Sequence, residues 1–213
     1  MSPNRCDGLV EIVAYMQSCS ARNRVLGKTL ADLATTDWGA IPMIELDDAA
    51  TGSPLLRQRM VVRRILERAV GDGADFVLLL EDDLEFNHNL SWNLSNWFPL
   101  RVTNRSDYFF ASLFNPGVRF RNVVREMAYA QAEPSTVHGS QALLMSYGMA
   151  RYLVNCWGVE PAAHLDLRLQ RLAARVCPML YHVPSLIQHR RTPSTWGGPF
   201  KEAADFDRTW RAV

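Results

Sequence analysis

With 213 residues, 48% of them apolar, the chain can bury the core of one substantial domain spanning 1–213. Its 23 Lys and Arg nearly balance 22 Asp and Glu, and a net charge of +1 leaves no electrostatic footprint for nucleic acid or an anionic membrane. No apolar run is long enough to span a bilayer and Met1-Ser-Pro-Asn-Arg-Cys-Asp7 lacks the apolar core of a secretory signal, so a cytoplasmic location without a transmembrane segment is expected.

Cys6, Cys19, Cys156 and Cys177 are widely spaced and form no CxxC pair, which argues for reduced, mostly buried thiols rather than a zinc site or a disulfide framework. Asn89-Leu-Ser91, Asn93-Leu-Ser95 and Asn104-Arg-Ser106 match the glycosylation acceptor pattern and are read as chance here.

In chain order, Glu11-Ile-Val-Ala-Tyr-Met16 predicts a first strand. Val25, Leu26, Leu30, Leu33 and Ala34 recur at helical spacing and predict a helix over 23–34. Ile41-Pro-Met-Ile-Glu-Leu46 predicts a second strand, closed by Asp47-Asp48 and a Thr51-Gly-Ser-Pro54 turn. From 56 to 70, Met60, Val61, Ile65, Leu66 and Ala69 share one helical face, with arginines largely on the other, and Gly71-Asp-Gly73 ends the helix. In a near-neutral chain that arginine face reads as solvated.

Phe76-Val-Leu-Leu-Leu80 then predicts a strand buried on both faces, and it runs directly into Glu81, Asp82 and Asp83. Three acids at the C-terminal end of such a strand are costly to hold together unless something positive sits among them. In open α/β sheets that end is also where ligands bind. A divalent cation carrying a phosphate is the simplest occupant, which points to a metal-dependent enzyme acting on a nucleotide.

Asp107-Tyr-Phe-Phe-Ala-Ser-Leu113 predicts another buried strand, followed by a polar, arginine-rich segment at 115–125 with no clear period. Gln141-Ala-Leu-Leu-Met-Ser146 predicts a strand whose Ser146 caps a helix through Ala150, Leu153 and Val154. Asp166 opens a helix over 167–176, and Met179-Leu-Tyr-His-Val183 is the last strand. Residues 190–213, rich in Pro, Gly and aromatics, predict a lid loop and a tail with a short helix. Strand and helix alternate throughout, which argues for a three-layer α/β sandwich.

Four segments resemble the GT-A class of nucleotide-sugar-dependent glycosyltransferases, over roughly residues 9–196. They are Ser20-Ala-Arg-Asn-Arg-Val-Leu-Gly-Lys-Thr-Leu30, Leu80-Glu-Asp-Asp83, Gly139-Ser-Gln-Ala-Leu-Leu-Met145 and Tyr181-His-Val-Pro-Ser-Leu-Ile-Gln-His189. Glu81-Asp-Asp83 fills the place of that class's Asp-x-Asp (DXD) motif, and Pro184-Ser-Leu-Ile-Gln-His189 resembles a late segment of lipopolysaccharide-type and N-acetylglucosaminyl transferases. The resemblance implies a GT-A, Rossmann-like α/β/α sandwich with a mostly parallel central sheet. It also implies transfer of a hexosyl or N-acetylhexosaminyl group from a nucleotide diphosphate sugar, with UDP the expected carrier, to an acceptor hydroxyl.

It further implies that Asp83 is the direct metal ligand, with Asp82 and Glu81 on the ribose or orienting the site. His189 is the natural second ligand, and an imidazole beside a carboxylate tilts the preference from Mg²⁺ toward Mn²⁺. Arg22 or Arg24, and Asp47 or Asp48, stand where the class recognises the base; Arg22 and Asp47 are preferred, although each serves equally as a helix-end or turn residue. For inverting transfer Asp166 is the catalytic base, a position where aspartate also serves as an ordinary N-cap. Arg190 and Arg191 would meet diphosphate oxygens together with Ser194. Gln141 and Trp196 would contact substrate, and Gly197-Gly198 would hinge the lid.

The acceptor is unspecified. The chain is short for the class, so the acceptor side is minimal or is completed by a second copy or a partner subunit. Two other readings stay open: a glycosyltransferase-like binding module without turnover, and a sugar-nucleotide nucleotidyltransferase. The absence of glycine between Ser18 and Arg24, where a nucleotidyltransferase carries its phosphate loop, counts against the latter.

Overall fold

The computed structural model describes residues 11–48, 51–132, 139–162, 164–192 and 200–213. Its strands are β1 (Ile12–Ser18), β2 (Met43–Leu46), β3 (Phe76–Leu80), β4 (Leu84–Phe86), β5 (Phe110–Ser112), β6 (Phe120–Val124), β7 (Tyr129–Ala132), β8 (Ala142–Ser146), β9 (Met179–His182) and β10 (Ile187–His189). Eight of them form one sheet in the order β2-β1-β3-β8-β5-β9-β7-β6, while β10 and β4 pair separately. Six strands of the main sheet point the same way. Only β8 and β7 oppose them, each pairing antiparallel with both of its neighbours. This is the mostly parallel central sheet expected.

The sheet is the middle of three layers because β3 is apolar at every position and must be covered on both faces. Phe76, Leu78 and Leu80 pack toward α1 (Asn23–Leu33), α3 (Leu90–Asn96) and α4 (Phe98–Arg101). Val77 and Leu79 pack toward α2 (Pro54–Asp72), α5 (Tyr147–Cys156) and α6 (Leu165–Ala173). Local signals set the helix ends. The Ser53 hydroxyl accepts from the Leu56 N–H at the start of α2, and Gly73, with φ of 74°, closes it in the left-handed region. Ser146 caps α5 through the Met149 N–H, as its sequence predicts.

Several expectations are revised. Segment 115–125 contains β6, which forms an antiparallel hairpin with β7 at the sheet edge; its residues are polar because that edge is solvated. The helices α3 and α4 follow β4 without a sequence signal long enough to reveal them. α6 starts at Leu165 with His164 as its N-cap, so Asp166 lies inside the first turn. Residues 200–213 contain no helix; their backbone groups bond instead to side chains of Asn87, Asn89, Asn93 and Gln188. Cys19, Cys156 and Cys177 are free thiols, partly rather than fully buried. Among the described residues no helix is long and apolar enough to cross a membrane.

Candidate active site at the C-terminal edge of the sheet

Glu81 continues the β3–β8 ladder by donating its N–H to the Gln141 carbonyl at 3.0 Å, so the acid triplet starts rigidly on the sheet. Asp82 and Asp83 are 4% and 5% exposed, and a charge buried to that degree needs partners. Arg22, which ends a single 3₁₀ turn after β1, supplies them. Its Nε lies 2.8 Å from Asp82 Oδ1 and its Nη2 lies 2.6 Å from Asp83 Oδ2. Ser18 Oγ donates to Asp82 Oδ2 at 2.5 Å. Thr29 of α1 donates to the Asp82 carbonyl at 2.7 Å and accepts from the Leu84 N–H at 3.1 Å, which fixes the turn into β4.

The small β4–β10 ribbon brings the late segment to the triplet. Its register sets His189 opposite Leu84, and His189 Nε2 lies 3.3 Å from Asp83 Oδ2. Thr192 Oγ1 donates to the same oxygen at 3.0 Å. Burial works against ionisation of Asp83, but the hydrogen bond and charge of His189, together with Arg22 and Thr192, outweigh it and hold its pKa below the ordinary value. The His189 imidazole shifts upward: burial disfavours its charged form, and the adjacent Asp83 wins. Asp82 is raised because burial outweighs its bonds to Ser18 and Arg22. The Glu81 carboxyl is pushed up to about 7 by burial and by the neighbouring Asp83 charge, despite the hydrogen bond from Ser140 Oγ at 2.6 Å.

These groups open onto a cavity of about 320 Å³. It also takes in Asp47, Gln141 and Asp166 of the residues expected from sequence. Asp47 is 3.6 Å from Arg57, whereas Asp48 accepts from the Ser20 N–H and hydroxyl in a surface turn. Gln141 Oε1 is buried without a hydrogen-bond partner. The two Asp166 oxygens accept from the N–H groups of Gly139 at 3.1 Å and Leu167 at 2.8 Å. Arg190 is directed to β4, with Nη1 3.1 Å from Glu85 and Nη2 donating to the Leu84 carbonyl, and the exposed Arg191 pairs with Glu202. Ser194, Trp196, Gly197 and Gly198 lie outside the described residues.

The cavity also contains residues without an expected role. Lys201 lines it, as do Ser140, Gln17 and Gln58. A sequence signal for Gln58 exists: an amide sits on the otherwise apolar stripe of α2, one turn before Val61 and Val62.

No group of three or more His, Cys, Asp and Glu among the described residues forms a metal cage. Two donors do converge, Asp83 and His189, and Asp83 Oδ1 is buried with no hydrogen-bond partner. A hard divalent cation completed by phosphate oxygens and water needs no more protein ligands than that, so the residues fit a cation shared with a diphosphate.

No protein-family model and no curated protein sequence matches the chain. Solved structures do. A197 from STIV superposes with a TM-score of 0.51 at 10% identity, covering 95% of this chain and 97% of that one, which supports the shared fold. Also similar are a glycosyltransferase involved in the glycosylation of the major capsid of PBCV-1, at TM-score 0.47 and 9% identity over 85% and 95% of the two chains, and the glycosyltransferase GlyE of Streptococcus pneumoniae TIGR4, at 0.48 and 12% over 92% and 58%.

Proposed function

We propose that the chain is a glycosyltransferase that moves a sugar from a nucleoside diphosphate sugar, with UDP the expected carrier, to an acceptor hydroxyl. The observation that carries this reading is the Glu81-Asp82-Asp83 triplet, with Asp82 and Asp83 buried and joined by His189, at the C-terminal end of β3 in a mostly parallel sheet. Asp83 and His189 would hold Mn²⁺ or Mg²⁺. Bound there, the cation would neutralise charge gathering on the departing diphosphate.

The chain's own groups do the rest. Arg22 favours the charged forms of Asp82 and Asp83 against their burial and fixes their orientation. Ser140 holds Glu81, and the Gly139–Gln141 turn forms the wall facing Asp166. Asp166 is the proposed base: it takes the proton from the acceptor hydroxyl as that oxygen attacks the anomeric carbon with inversion. The N–H groups of Gly139 and Leu167 hold both of its oxygens, which orients the carboxylate while leaving lone pairs for the incoming proton.

The test is a calorimetric titration with UDP, GDP and CDP, each with Mn²⁺ and with EDTA. Binding of one nucleotide only with the metal present, followed by transfer of the sugar from the corresponding donor, is the expected result. Failure of every nucleotide to bind would overturn the reading.

A further inference from the structure

Three groups crowd one oxygen of the proposed metal site. Asp83 Oδ2 has Arg22 Nη2 at 2.6 Å, Thr192 Oγ1 at 3.0 Å and His189 Nε2 at 3.3 Å. A carboxylate oxygen offers two lone pairs, so Oδ2 has more neighbours than it can serve well, while Oδ1 of the same group is buried with no hydrogen-bond partner. The crowded oxygen is also the one that faces His189. A divalent cation held by Asp83 and His189 therefore arrives beside the guanidinium, and like charges that close in a buried place repel strongly. The cation and the present position of Arg22 Nη2 exclude each other.

Arg22 can give way without losing its anchorage. Its Nε lies 2.8 Å and 3.0 Å from the two Asp82 oxygens, a contact that needs nothing from Asp83. The backbone of its 3₁₀ turn is fixed independently: the Arg22 N–H donates to the Cys19 carbonyl at 2.9 Å, and Asp48 accepts from the Ser20 N–H and hydroxyl. A rotation at the far end of the side chain moves Nη2 off Asp83 and leaves the rest in place. Arg22 already lines the cavity, so the arm that swings away stays within reach of what the cavity binds.

We infer that Arg22 is the resident counter-ion of Asp83 in the ligand-free protein, that a divalent cation displaces its Nη2 arm, and that the displaced arm then binds an oxygen of the diphosphate. The exchange couples the two ligands. A cation entering alone has to break a charge-assisted hydrogen bond, and a diphosphate supplies its replacement. This rests on the metal-dependent donor reading above and goes beyond it in making Arg22 a positioning residue that competes with the cation and cooperates with the anion.

The experiment compares the wild type with Arg22→Gln and Arg22→Lys by calorimetry and thermal unfolding. Mn²⁺ is titrated alone, and inorganic pyrophosphate is titrated at saturating Mn²⁺. Arg22→Gln is expected to bind Mn²⁺ about tenfold more tightly and pyrophosphate about tenfold more weakly, two shifts of opposite sign that a structural brace would not produce. Arg22→Lys keeps a cation and should bind Mn²⁺ no more tightly than the wild type. Mn²⁺ should also raise the melting temperature of Arg22→Gln more than that of the wild type, because it takes over the missing counter-ion. Equal or weaker Mn²⁺ binding by folded Arg22→Gln overturns the displacement alone. Should Arg22→Gln fail to fold, nitrogen NMR of the wild-type arginine side chains decides: the Arg22 Nη signals should move when Mg²⁺ is added and again with pyrophosphate, and unmoved signals overturn the inference. A wild type that binds Mn²⁺ neither alone nor with pyrophosphate overturns both this inference and the metal-dependent reading.

Discussion

The Arg22 guanidinium bridges two adjacent carboxylates, 2.8 Å from Asp82 and 2.6 Å from Asp83. Removing it leaves buried charges without their counter-ion, which is costlier than never having formed the pair. Arg22→Ala is expected to destabilise the fold by roughly 2–4 kcal/mol at pH 7, measured by chemical denaturation. Asp83 has a depressed pKa, so its stabilising share is present above its unfolded value and is lost as pH falls through the folded one. The gap between variant and wild type should therefore narrow below pH 4. A gap that stays constant with pH would refute the ionic account.

Glu81 has the opposite sign. Its carboxyl titrates near 4.5 when unfolded and at about 7 in the fold. Below pH 4.5 it is protonated in both states and contributes nothing. As pH rises from 4.5 to 7 the unfolded chain ionises while the folded carboxyl stays protonated, and the fold loses roughly 3 kcal/mol. Glu81→Gln keeps an acceptor for Ser140 and cannot ionise. Thermal unfolding should show it level with wild type at pH 4 and higher-melting at pH 8.

Asp83→Asn preserves the shape and one acceptor oxygen, enough for the contacts that Oδ2 makes, but removes the charge. Mn²⁺-dependent UDP binding should fall at least about a hundredfold, or 2.7 kcal/mol, with the circular dichroism spectrum unchanged. Undiminished metal-dependent binding would remove Asp83 from the metal site.

Gly148 has no room for a side chain. A Cβ there would sit 2.3 Å from the Ser106 carbonyl oxygen and 2.7 Å from that of Asp107, and these are backbone atoms that cannot yield cheaply. Gly148→Ala should cost about 3 kcal/mol. Gly27, exposed within α1, meets nothing within 4 Å, so Gly27→Ala should instead stabilise by roughly 0.5–1 kcal/mol. Denaturation midpoints of the two variants should move in opposite directions.

Much of the frame is legible in the sequence because its signals are local. The apolar run of β3, the Ser53 and Ser146 caps and the Gly73 stop each act within one turn or strand. Strand direction has no such signal: β8 reads like any buried strand, and its antiparallel course follows from β5 and β3 lying on either side of it. At the site, the acids and His189 are visible as residue types, whereas the partnership of Arg22 with Asp82 and Asp83 depends on a turn placed some sixty residues away. The pairing of Arg190 with Glu85 is likewise invisible in the sequence, because the β4–β10 register brings the two together.

The three-residue ribbon of β4 and β10 is a sheet of its own, yet it carries His189 to Asp83 across 106 positions of chain. A unit with so few ladder bonds opens more easily than the eight-stranded sheet beside it. Asp83 and His189, the two halves of the proposed metal site, can therefore part without the domain unfolding, and a ligand bound between them would act as a clasp. That clasp has a direct readout: amide hydrogens of Leu84–Phe86 and Ile187–His189 should exchange faster than those of β3 in the free protein, and should slow selectively when nucleotide and metal are added.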